Sequence, residues 1–213
     1  MPPPYSCFVS YRHTTCYKGK TYTERIVEDL KAELELRVAR EVYRDLERLK
    51  GAEFYQEALA AALCRSVCMV VLFWPGYFSE EHTFCAREFK AMEELEKQRL
   101  SLLPKDQRDK GLIVILALRD FGQIPREITM SRLCKDFEAH TMKRNMRIDP
   151  GFQRDIFDVG SYIAERVRTF QTFAPDIFRG CDDFRLPLEQ HILSWVRQVQ
   201  HPGIPFVNRP GAL

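Results

Sequence analysis

The chain has 213 residues, 45% of them hydrophobic and 29% charged, the composition of a globular protein with room for one sizeable core. Its 32 Lys+Arg against 30 Asp+Glu leave a formal charge of +2, too little for a binder of polyanions, so nucleic acid is not an expected partner. The longest apolar run, residues 67–74, falls far short of the roughly 20 that span a bilayer, and the opening Met1-Pro2-Pro3-Pro4 is no targeting signal, so a cytoplasmic protein without a membrane partner is expected.

In chain order, a first strand is expected over residues 5–11 (YSCFVSY), rich in aromatic and β-branched residues. A helix follows over 23–38, where Ile26, Val27, Leu30, Leu34 and Val38 recur at spacings of three and four among charged residues. A short strand at 41–43 leads to an Ala/Leu-rich helix at 54–64 (FYQEALAAALC) of high helix propensity. The runs 67–73 (VCMVVLF) and 112–118 (LIVILAL) are apolar throughout rather than alternating, the pattern of strands buried on both faces of a parallel sheet. An amphipathic helix separates them at 83–100. Residues 124–128 fit a short helix or only a loop, and 133–137 a weak strand. The basic stretch Lys143, Arg144 and Arg147 reads as a solvated loop before a helix at 152–170. From about Thr172 the texture changes, punctuated by Pro175, Gly180, Asp182, Asp183 and Pro187, with one more helix at 188–199 and a Pro/Gly-rich end from Pro202.

Strand–helix alternation of this kind predicts an α/β fold: a flavodoxin-like, open, parallel five-stranded sheet with helices on both faces. Residues 1–171 form the main domain, and 172–213 a C-terminal helical appendage packed on it. Ligands of such folds sit outside the carboxyl ends of the strands. Seven cysteines, an odd number without a CxxC pair, argue against a disulfide framework or a zinc site. Cys64 and Cys68 straddle a helix end and a strand start, as small core hydrophobes do. His13-x-x-Cys16 is too weak for a metal pair, so no metal and only free thiols are expected.

Glu88 stands out. At about 100° per residue, Phe84, Cys85, Phe89, Met92 and Leu95 share one helix face, and Glu88 falls inside that apolar arc. A carboxylate there either reaches a partner at the rim, such as Arg12 or Arg44, or faces a cleft, because burying it unpaired is costly.

Three segments resemble the boxes of the Toll/interleukin-1 receptor (TIR) domain family. Phe8-Val9-Ser10-Tyr11-Arg12 is similar to its opening box. Arg44-Asp45-Leu46-Glu47-Arg48-Leu49-Lys50-Gly51-Ala52-Glu53-Phe54 is similar to its BB loop. The run from Val70 to Ser79 followed by Phe84-Cys85-Ala86-Arg87-Glu88 resembles its third box, which ends in a catalytic glutamate. The resemblance covers roughly residues 5–170. It departs at Phe84, where family members usually carry Trp, at Trp74, where Ser commonly ends the strand, and in the loop Ser79-Glu80-Glu81-His82-Thr83.

The resemblance to free-standing bacterial effectors of this family implies an NAD+ glycohydrolase or cyclase acting in antiphage defence or signalling. Glu88 would be its catalytic carboxylate, NAD+ its substrate rather than a cofactor, and other TIR domains its partners on activation, with a defence-system protein a further candidate. Tyr11 and Phe84 are candidates for walling the base site, and Arg12 and His13 for meeting phosphate or ribose. Asp45 and Glu47 would border the ribose or mediate assembly. The alternative is a non-enzymatic TIR adaptor. A flavodoxin-like nucleotide-binding module is disfavoured, since no glycine-rich phosphate loop precedes any helix.

Overall fold

The computed structural model describes residues 5–12, 17–44, 52–130, 132–143, 145–178 and 180–200. Five strands, β1 (Tyr5–Tyr11), β2 (Glu41–Arg44), β3 (Ser66–Phe73), β4 (Ile113–Ala117) and β5 (Leu133–Asp136), form one sheet ordered β2-β1-β3-β4-β5. Every pairing is parallel. The helices are α1 (Tyr17–Val38), α2 (Ala52–Cys64), α3 (Phe84–Ser101), α4 (Arg126–Thr129), α5 (Glu138–Thr141), α6 (Pro150–Phe173) and α7 (Glu189–Gln200). This is the flavodoxin-like α/β arrangement.

Every residue of β3 and β4 is buried, as their unbroken apolar runs require of strands covered on both faces. Helices α1 and α6 pack together and against the sheet, while α2 and α3 pack on each other and on β1, β3 and β4. Gly160 admits the close approach of α6 to α1, since a Cβ there would collide with the Glu33 side chain. The start of α6 is set locally: Asp149 accepts the Phe152 N–H at 2.9 Å, and Pro150 occupies the first turn, where its missing N–H costs nothing. α1 begins at Tyr17, earlier than its apolar periodicity at 23–38 indicates. The short helix left open at 124–128 is α4. Around Arg144, which lies outside the described residues, Lys143 pairs with Asp149, and Arg147 with Glu28 and Asp29 of α1. No helix among the described residues is long and apolar enough to cross a membrane.

The tail crosses α2 and α3. Trp195 of α7 stacks on Phe89 of α3, with ring centroids 5.8 Å apart, and meets Phe78 edge-on at 5.1 Å. Ile192, Val196 and Val199 of the same helix are buried. Surface pairs add Arg197–Glu80 at 2.7 Å and Arg65–Asp182.

One expectation is overturned. Cys64 is not a free thiol: it forms a disulfide with Cys181, their Cα atoms 5.5 Å apart. Local spacing could not reveal the pair, because 117 residues separate the two cysteines and only the docking of the tail on α2 brings them together. Cys7, Cys68, Cys85 and Cys134 are free, the first three of them buried.

Candidate active site

In the order β2-β1-β3-β4-β5 the chain leaves β1 toward one edge and returns to β3 on the other side. The crevice between the carboxyl ends of β1 and β3 is therefore the topological switch point. Ser10 and Tyr11 of β1 lie in register with Val71 and Leu72 of β3. Beyond β3 the segment Trp74-Pro75-Gly76-Tyr77 closes a turn, the Tyr77 N–H donating to the Trp74 carbonyl at 2.9 Å. Pro75 presets its own φ, and Gly76 takes the left-handed φ of 82° that this turn type demands at its third position.

The turn returns Tyr77 into the core, fully buried, with its phenol oxygen 2.5 Å from Ser10 Oγ. Ser10 in turn donates to Glu88 Oε2 at 2.5 Å. Serine has one hydroxyl proton. Because Glu88 receives it, the Tyr77 hydroxyl is the donor to Ser10. Burial pushes the Tyr77 phenol well above its ordinary range, the Glu88 charge adds to this, and the Ser10 bond opposes it. Tyr77 therefore keeps its proton at neutral pH, and the chain of donors runs one way, into the carboxylate.

Glu88 lies in the first two turns of α3, 7% exposed, on the same buried face as Cys85, Phe89, Met92 and Leu95. Its helix starts beyond the β3 end, and its carboxylate meets Ser10 near the carboxyl end of β1. Burial also raises the Cys85 thiol well above its ordinary value, reinforced by the Glu88 charge and opposed by Arg12 and Ser10. Cys85 is thus a protonated thiol rather than a nucleophile. Arg87, next to Glu88, donates through Nε to the Pro187 carbonyl of the tail at 2.7 Å. Desolvation lowers its affinity for a proton, and Glu189 and Glu88 oppose the effect.

The structure brings Arg12 to the same place: its Nη1 donates to the Gly76 carbonyl at 3.1 Å, and its charge acts on Cys85. Tyr11 and Phe84 are half-buried and packed against the core, with the Arg87 guanidinium 5.2 Å over the Phe84 ring. His13, Asp45 and Glu47 lie outside the described residues, as do Gly51 and the side chain of Arg44. Two residues were missed by sequence reasoning, Ser10 and Tyr77. The signal for Ser10 was present: a polar residue in the buried stretch of the first strand needs a partner. Among the described residues no group of three or more His, Cys, Asp or Glu is placed to hold a metal ion.

A carboxylate in such a place, accepting from Ser10 and largely shielded from water, is suited to stabilising positive charge that develops in a bound molecule. No protein-family model matches the chain, and no curated protein matches it.

Proposed function

We propose that the chain is a TIR-type enzyme that cleaves the nicotinamide–ribose bond of NAD+, with Glu88 as its catalytic carboxylate. The observation that carries the reading is the position of Glu88: a buried glutamate that meets Ser10 at the β1/β3 switch point, at the place where the third TIR-like box ends. The chemistry suits one carboxylate. The C1′–N bond breaks with its electron pair going to nicotinamide, which leaves a cationic pyridinium as a neutral molecule and needs no general acid. The oxocarbenium left on the ribose is stabilised by the Glu88 charge. Water then adds at C1′ and loses a proton, giving ADP-ribose; capture by the adenine end instead gives a cyclic isomer. The reading requires no cofactor.

Arg12, held to the Gly76 carbonyl in the turn after β3, is on this reading the cation that meets a phosphate. On this reading other TIR domains are partners on activation, the setting is bacterial defence or signalling, and the compartment is the cytoplasm. The Cys64–Cys181 bridge weighs against the last point, since such bridges are rare in reducing compartments.

The test is NAD+ turnover at high protein concentration, wild type beside Glu88→Gln, with products separated by chromatography. Nicotinamide release reduced at least about a hundredfold in the variant supports the reading, and activity per molecule falling on dilution supports assembly. Equal turnover in both proteins removes Glu88 from the chemistry. No turnover in either moves the assignment to a non-enzymatic adaptor.

A further inference from the structure

We infer that Ser10 and Tyr77 are positioning residues for Glu88: a one-way hydrogen-bonded chain, Tyr77 to Ser10 to Glu88 Oε2, fixes the carboxylate and keeps it ionised. The inference rests on the proposed role of Glu88 and adds to it the device that sets its orientation and charge. Three observations carry it. All three groups are buried, Tyr77 at 0%, Ser10 at 1% and Glu88 at 7% exposure, so water does not compete for these bonds. The two contacts are both 2.5 Å, and the single proton of Ser10 fixes their direction. Each member comes from a different element meeting at the switch point: β1, the turn after β3, and α3. Being fully buried, Tyr77 cannot touch a substrate; whatever it contributes passes through Ser10.

A hydroxyl donating to a buried carboxylate favours the charged form, and a hydroxyl that itself receives a hydrogen bond is a stronger donor. Among the described residues, Cys85 and Arg87 also interact with the Glu88 charge, and Arg12 with Cys85. Burial holds the Cys85 proton in place, and Arg12 and Arg87 donate to backbone carbonyls, with Arg87 also reaching Gln56.

The experiment compares wild type, Tyr77→Phe, Ser10→Ala and the double variant. It uses steady-state NAD+ turnover across pH, together with infrared titration of the Glu88 carboxyl band, identified by its loss in Glu88→Gln. Tyr77→Phe keeps the ring that packs edge-on to Phe78 with centroids 4.8 Å apart, so the fold is retained, as a melting curve checks. The expected result is a kcat lower by about tenfold with KM within about twofold. The acid limb of the pH profile and the Glu88 infrared titration should both move to higher pH. In the Ser10→Ala background, Tyr77→Phe should add nothing further to either shift, because Tyr77 acts only through Ser10. A Tyr77→Phe enzyme with wild-type kcat and an unmoved carboxyl titration overturns the inference, as do effects that simply add in the double variant. If Glu88→Gln turns NAD+ over normally, or no protein does, the proposed activity fails, and the infrared titration still decides whether Ser10 and Tyr77 govern the Glu88 charge.

Discussion

Opening the Cys64–Cys181 bridge, by Cys181→Ser or by reductant, removes the covalent tie between the tail and α2 and releases a loop whose ends are 117 residues apart. In the chain-entropy picture a loop of that length restricts the unfolded ensemble by about 5 kcal/mol at 25 °C. The unfolding entropy of a chain of this size is on the order of 0.45 kcal/mol per kelvin, so the melting temperature should fall by about 10 °C. That figure is a ceiling, because unfolded chains are compact and bridges often deliver less than the model predicts. A fall of about 5–10 °C is therefore expected. The assay is thermal unfolding of air-oxidised protein with and without a phosphine reductant, beside Cys181→Ser and the control Cys134→Ser, a half-buried free cysteine outside the bridge. Before melting, denatured but unreduced wild type should titrate at most five of its seven thiols. The control should melt with the wild type, and reductant should leave Cys181→Ser unchanged. Equal melting temperatures with and without reductant, or seven reactive thiols in the oxidised preparation, would refute the reasoning.

Other perturbations test how the tail and the site are held. Trp195→Ala deletes the ring stacked on Phe89, against Phe78 and under Lys90, and should cost about 2–3 kcal/mol. Limited proteolysis should then cut faster in the segment before α7, and an unchanged cleavage rate would show that the ring does not hold the tail. Gly76→Ala forces an alanine into a left-handed φ and aims its Cβ at the Arg12 guanidinium, so a loss of about 1–2 kcal/mol is expected in urea unfolding. Alanine as stable as glycine would contradict the turn geometry. For Glu93, burial raises the carboxyl pKa, but hydrogen bonds and charges from Lys90 and Arg132 outweigh it and hold the group below its ordinary value of 4.5. A depressed carboxyl stabilises the fold above its unfolded pKa and loses that contribution as pH falls toward the folded one. Glu93→Gln should accordingly be less stable than wild type at pH 7, by about 1 kcal/mol. The gap should close as pH drops below about 4, and unfolding curves that stay parallel to pH 3 would count against the pairing.

The buried position of Glu88 could be read before the fold was known. Helical periodicity put Glu88 in an apolar arc, and the structure buries it on that face with Cys85 and Phe89. What could not be read was its partner. Ser10 and Tyr77 are 78 and 11 residues away along the chain, and nothing in local spacing says that a turn after one strand and the end of another meet at one carboxylate. The same reason hid the charged groups buried deeper in the molecule. Arg99 and Arg166 look like surface residues of amphipathic helices, yet Arg99 donates to the Ser66 carbonyl at 2.7 Å and also to that of Cys64, and Arg166 reaches Gln107 at 3.1 Å.

Local chemistry in the sequence determined the elements themselves. Apolar runs specify buried strands, three-and-four periodicity specifies helices, and Asp149-Pro150 and Pro75-Gly76 specify a helix start and a turn. These features act over a few residues, where side-chain sterics and hydrogen bonding to the adjacent backbone dominate. The fold class followed, because alternating strands and helices have few unknotted, right-handed ways to pack. Tertiary structure alone decided the Cys64–Cys181 bridge, the stacking of Trp195 on Phe89 and the line of hydroxyls behind Glu88. Each joins segments distant in the chain, and such contacts form only when the whole core closes and water is excluded between them.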